Sequence, residues 1–173
     1  RSFGYQPSTK EFSPAPRGTF NPYETDNVTM ENVVGTGAIP FFTDDNYYVG
    51  AWQTGADDHP NDNTKYIGSI FYNNCEGVDL APDVGKNTQF ENVFFDNPPN
   101  PDCPKYISSL YHNHGIGWGG QFAGTIKNAT IINSEVGMRR WNGPGPLTIS
   151  NSSFVNNGTA IKDSTGNHKY SNF

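Results

Sequence analysis

The segment TIKNATIINSEVGM, Thr125–Met138, is followed twenty-three residues later by TISNSSFVNNGTAI, Thr148–Ile161. Near-copies at so short a distance restrict the fold to one assembled from stacked repeats of a single unit. With Asn128 and Asn151 as a common anchor, equivalent anchors fall at Asn32, Gly68, Asn92 and Asn172. Two residues before these anchors stand Met30, Tyr66, Phe90, Ile126, Ile149 and Tyr170, every one apolar or aromatic. Three residues after them come Phe71, Phe95, Ile131 and Phe154, with Gly35 departing in the first unit. Five residues after them come Asn73, Asn97, Asn133 and Asn156, with Gly37 departing again. Further on, a small residue precedes an apolar one at Gly77-Val78, Gly137-Met138 and Ala160-Ile161.

The anchors are separated by 36, 24, 36, 23 and 21 residues, so the unit is about twenty-two residues long with two long insertions. Leucine-rich repeats need a Leu ladder that is missing here, and helical repeats need an apolar stripe at a period of about 3.6. Short strands with Asn and Gly at the corners remain. Asn suits a corner because it tolerates left-handed backbone and its amide can bond to the same Asn in the next coil. The expected fold is therefore all-β, with like residues stacked about 4.8 Å apart from coil to coil.

This pattern resembles the right-handed parallel β-helix (pectate-lyase-like) superfamily over residues 27–173. The resemblance implies a solenoid of about five to six coils carrying two long loop insertions. The phrases IKNATIINSEVGM and LTISNSSFVNNGTAI are most similar to the repeats of extracellular fibrocystin-like and cell-surface hyaluronidase-like β-helix proteins. Pectate lyases, polygalacturonases, phage tailspikes and large cell-surface proteins all share this architecture, so the likeness speaks for fold more than for activity. Residues 1–26 do not fit the repeat; with four Pro in YQPSTKEFSPAPRGTFNP they are expected to form an extended N-terminal arm or cap.

Composition narrows the partners. Hydrophobic residues are only 34% of the chain, but aromatics reach 14%, which supplies core volume and argues against disorder. A net charge of −6, with the eleven Lys and Arg scattered, opposes binding to nucleic acid. No run of about twenty apolar residues suggests a membrane span. The chain starts at Arg1 with no charged-then-apolar leader, so a secretion signal is expected to have been removed or to lie upstream. Four glycosylation sequons start at Asn27, Asn128, Asn151 and Asn157, which points to a secreted or cell-surface protein. Glycans are expected on Asn27 and Asn157 ahead of Asn128 and Asn151, because the latter two occupy the anchor column, where a stacked amide cannot carry a bulky sugar. Cys75 and Cys103 fall in neighbouring coils and are expected to form a disulfide, closing a loop worth roughly 3 kcal/mol. Two cysteines without a nearby His pair do not complete a zinc site.

The insertions are where a rigid solenoid usually carries specificity. The first holds Asp57, Asp58 and Asp62 beside Asn61 and Asn63, an oxygen-rich set that could take calcium, although no calcium-loop spacing is matched and a solvated turn is the simpler fate. No cofactor is required. Trp118, Arg139 and Trp141 are candidates for sugar contact. Arg139 and Arg140 are adjacent on an expected strand, so at most one faces any groove, and a solvated face is the usual fate of such a pair. His112 and His114 read as turn histidines, since two ligands do not make a metal site. These residues form no acid/base constellation that a lyase or hydrolase would need. The leading reading is an extracellular glycoprotein module that serves as scaffold or interaction surface in a larger protein or assembly. Later residues of the same polypeptide, or another chain, would then stack on its C-terminal coil, and glycans would be further partners. The alternative is a polysaccharide lyase, a glycoside hydrolase or a carbohydrate-binding module.

Overall fold

A computed structural model of the chain describes residues 5–6, 11–12, 26–37, 52–54, 62–74, 76–80, 86–99, 114–118, 124–140, 146–163 and 169–170. Every regular element among them is a strand. Before the repeat, β1 (Tyr5–Gln6) pairs antiparallel with β2 (Glu11–Phe12). Strands then recur in threes: β3 (Thr29–Glu31), β4 (Val34–Thr36) and β5 (Trp52–Thr54); β6 (Lys65–Ile67), β7 (Ile70–Tyr72) and β8 (Glu76–Leu80); β9 (Thr88–Glu91), β10 (Phe94–Asp96) and β11 (His114–Trp118). The series continues with β12 (Gly124–Lys127), β13 (Thr130–Ile132) and β14 (Val136–Arg140); β15 (Leu147–Ser150), β16 (Ser153–Val155) and β17 (Thr159–Asp163); and β18 (Lys169–Tyr170).

Every third strand is a hydrogen-bonded neighbour, which gives a first sheet β3-β6-β9-β12-β15-β18, a second β4-β7-β10-β13-β16 and a third β5-β8-β11-β14-β17. All pairings within these three sheets are parallel. The chain is thus an all-β parallel solenoid. The column two residues before the anchor is one register row of the first sheet, Met30, Tyr66, Phe90, Ile126, Ile149 and Tyr170. The column three residues after it is a row of the second sheet, Gly35, Phe71, Phe95, Ile131 and Phe154.

These rows make the core. Tyr66 stacks on Phe90 with ring centroids 4.6 Å apart and planes 5° from parallel, and Phe71 stacks on Phe95 at 5.0 Å and 17°. The two rows meet edge-on, Tyr66 with Phe71 at 6.1 Å and Phe90 with Phe95 at 6.2 Å. The coil spacing places like rings within stacking distance, and the triangular section turns the two sheets so that their rings meet as T-shaped pairs.

The anchors form the corner between the first and second sheets. Asn32, Gly68, Asn92, Asn128 and Asn151 all have positive φ, between 47° and 59°. A left-handed residue costs most side chains roughly 1–2 kcal/mol, and Asn or Gly least. The N–H groups of Asn32, Gly68, Asn92 and Asn128 each donate to a carbonyl of the following coil, as from Asn92 to Lys127 O at 3.1 Å and from Asn128 to Ser150 O at 3.1 Å. The Asn128 Nδ2 also donates to Asn92 Oδ1 at 3.0 Å. Asn128→Ala should therefore cost about 2 kcal/mol, from the strained φ and the lost amide bond together. Asn128→Gly keeps the φ and should cost distinctly less. Equal losses in denaturant titrations would show that the amide bond, and not the backbone, sets the cost.

The second corner corrects one assignment. Gly37, Asn73, Asn133 and Asn156 are left-handed there, but Asn97 is not. Asn97 precedes Pro98, whose ring drives the preceding residue toward extended backbone. Its side chain instead lies buried, with Oδ1 accepting from the Asn74 N–H at 3.0 Å. Asp96 takes over the rung, its Oδ1 accepting from Asn133 Nδ2 at 2.9 Å, and Asn156 Nδ2 in turn donates to Asn133 Oδ1 at 2.7 Å.

Candidate functional site

The third corner, before the first sheet, was not apparent as a column. Asn27, Asn63 and Asn87 are left-handed there, with φ of 60°, 59° and 62°. Their amides form a chain: Asn63 Nδ2 donates to Asn27 Oδ1 and Asn87 Nδ2 to Asn63 Oδ1, each at 3.0 Å. Asp62 belongs to the same corner. Its Oδ1 accepts from the Lys86 N–H at 2.8 Å, while its own N–H donates to Asp26 Oδ1 at 2.9 Å. One oxygen of the carboxylate proposed for calcium thus braces one coil against the next, and the solenoid contacts begin by residue 26. Asp57 and Asp58 lie outside the described residues. Among the described residues no three His, Cys, Asp or Glu side chains come together as a metal site.

The third sheet holds the arginines, and here the solvated-face expectation fails. All five residues of β14 are buried, so both faces of the sheet are covered at this point. Arg139 is 6% exposed and offers a polymer little surface. Arg140 is fully enclosed, and its Nη1 lies 3.6 Å from Asp163 Oδ2 on the next coil, with both side chains nearly sealed from water. Their rows run Gly117, Arg139, Lys162 and Trp118, Arg140, Asp163. A buried pair of this kind is held by its partner more than by Coulomb gain over water, because desolvating both ions is expensive. Arg140 therefore joins the fourth and fifth coils. His114 is also corrected: it opens β11 and is buried, a strand residue packed inside rather than a turn residue. Trp118 ends the same strand, while Trp141, His112, Cys75 and Cys103 lie outside the described residues, so the disulfide does too.

The four sequons take different environments. Asn27 is exposed and, as the first rung of its corner, receives a bond at Oδ1 while its Nδ2 meets no acceptor among the described residues. Asn151 is exposed, and its side-chain amide meets no partner among the described residues. Asn128 donates through Nδ2 along the anchor ladder. Asn157, favoured from the sequence, turns inward: Nδ2 donates to Ile131 O at 2.9 Å and Oδ1 accepts from the Ser134 N–H at 2.9 Å.

Two outer faces differ in kind. The first sheet presents charge, including Lys127 and Glu91 at 3.5 Å, an exposed pair of small energetic weight. The second sheet presents Val34, Ile70, Tyr72 and Val155, which are 58%, 41%, 37% and 55% exposed. Phe94 and Ile132, half-buried, lie in the same two outward rows. Thr36, Asp96, Thr130 and Ser153 share these rows, so the face is a cluster of apolar side chains interrupted by polar ones, flanked by the amides of two corners. No family model, curated protein or solved structure matches this chain.

Proposed function

We propose that this chain is an exported, glycosylated module of the pectate-lyase-like parallel β-helix kind, related in repeat style to fibrocystin-like and cell-surface hyaluronidase-like proteins, and that it acts as scaffold and interaction surface in a larger protein or assembly. The observation that carries the reading is the cluster of apolar side chains on the outer face of the second sheet. Exposed apolar side chains gathered on one face, here Val34, Ile70, Tyr72 and Val155 among polar neighbours, mark an interaction surface. Two polar groups among the described residues serve the stack itself: Arg140 pairs with Asp163, and one oxygen of Asp62 accepts from the Lys86 N–H. A further coil stacked on the C-terminal side belongs to the same proposal. It is supported by Phe154 and Ile161, which are half-buried where Phe71, Phe95 and Met138 are sealed.

The test is turnover. Incubation with a panel of uronic-acid polysaccharides should produce neither the absorbance of unsaturated sugar ends nor new reducing sugar. Turnover by the purified chain would replace the scaffold reading with the lyase or hydrolase alternative. Glycan placement supplies a separate check. A glycan needs an amide nitrogen that is exposed and not already committed inward. Glycopeptide mass spectrometry on material from a eukaryotic secretory host should find Asn27 and Asn151 occupied and Asn128 and Asn157 empty. Full occupancy at Asn157 would mean that its Nδ2 does not make the inward bond to Ile131 O in the glycosylated protein.

A further inference from the structure

Inside the solenoid, at the third corner, two hydroxyls are sealed from water. Thr64 and Thr88 are both 0% exposed, and neither Oγ1 finds a hydrogen-bond partner among the described residues. They are equivalent positions on adjacent coils: each directly precedes the paired residues Lys65 and Gln89, and the Thr64 carbonyl accepts from the Gln89 N–H at 2.9 Å. Two residues along, on the same inward face, Tyr66 and Phe90 stack 4.6 Å apart. Two buried hydroxyls left without partners, one above the other, are exceptional in a folded protein and call for an explanation.

We propose that Thr64 and Thr88 form a binding site for a single internal water molecule that bridges the second and third coils. The spacing is the main argument. Neighbouring parallel strands lie about 4.8 Å apart, too far for a direct O–H···O bond of about 2.5–3.0 Å. Two bonds of about 2.8 Å to one water span that gap at an angle close to tetrahedral. Each hydroxyl can donate or accept, so the water is satisfied whichever way the threonines rotate. Among the described residues the other members of this row are Val28 and Leu147, which are apolar, and Gly124, which pairs with Thr88 and brings no side chain over it. The two hydroxyls supply the two polar partners that an internal water needs at the least. The site fixes the two coils where the first insertion rejoins the stack.

The experiment compares the whole chain with Thr64→Val, Thr88→Val and the double variant, all nearly isosteric with the original. Each single variant leaves the water, or the surviving hydroxyl, short of a partner and should shift the folding equilibrium roughly five- to tenfold toward the unfolded state. The double variant removes both hydroxyls and the water together, so it should be no less stable than either single one. Effects that multiply in the double variant, or single variants as stable as the parent, would overturn the bridge. A direct measurement on the unaltered chain is independent of any folding defect. A high-resolution crystal structure should show one solvent peak within about 3 Å of both Oγ1 atoms, and a site empty of density would reject the proposal.

Discussion

Phe95→Ala is expected to lower the stability of the chain by about 3–5 kcal/mol, the range for emptying an enclosed aromatic site. Phe95 is 0% exposed. It stacks on Phe71, meets Phe90 edge-on, and its row continues to Ile131 on the next coil. Backbone ladders hold Phe71 and Ile131 on the two neighbouring coils in place, so neither can close the gap, and the cavity term should be near its maximum. In a double-mutant cycle, Phe71→Ala and Phe95→Ala should show a coupling of about 0.5–1.5 kcal/mol beyond area burial, as stacked aromatic pairs do. Phe154→Ala provides the control at the end of the row, where the side chain is only half-buried and the loss should be distinctly smaller. Equal losses at Phe95 and Phe154 in urea titrations would contradict the burial gradient along the row.

The rows that contain these rings were legible in the sequence because the interior of a solenoid leaves each inward position one kind of neighbour, the same position of the next coil. Repetition then amplifies a weak single-strand signal. What was not legible had local causes. Asn97 looked like a rung, and the one-residue shift that gives the rung to Asp96 follows from Pro98, which lies outside the repeated column. The corner at Asn27, Asn63 and Asn87 escaped because the column is broken in the sequence: Ala123 and Pro146 stand at the equivalent distance before Asn128 and Asn151, and Asn returns only at Asn167 before Asn172. The burial of Arg139 and Arg140 could not be read from the repeat, since it depends on what covers the outer face of the third sheet, and no column encodes that. The inward turn of Asn157 was hidden for a similar reason: a residue next to a ladder position can face either way, and only its bonds to Ile131 and Ser134 decide which.

Gly115→Val is expected to be as damaging as the loss of a core ring, at about 3 kcal/mol or more, the upper end of overpacking penalties. Gly115 also fills a gap in the sequence reading. The column of small residues was recognised at Gly77, Gly137 and Ala160, but the long insertion after Asn97 concealed Gly115-Ile116 as its fourth member. Register settles the point, because Ile116 pairs with both Val78 and Met138. The reason for the small residue is steric and not conformational, since none of these glycines needs a left-handed backbone. A Cβ on Gly115 would lie 2.7 Å from the Gly137 carbonyl oxygen and 2.7 Å from Ile131 Cγ2. On Gly137 it would lie 2.7 Å from Ala160 O and 2.9 Å from Phe154 Cδ1. A carbonyl held in a parallel ladder cannot retreat without breaking its own bonds, so the strain spreads to neighbouring coils rather than relaxing in one side chain. Ala160 shows where the requirement ends: it is exposed in β17, the last strand of the third sheet, and carries a Cβ already. Ala160→Val should therefore cost less than about 1 kcal/mol, as exposed substitutions do. Thermal unfolding of the two valine variants side by side tests the packing of the sheet. A Gly115→Val protein as stable as Ala160→Val would mean that the second and third sheets do not approach as closely as their small-residue column requires.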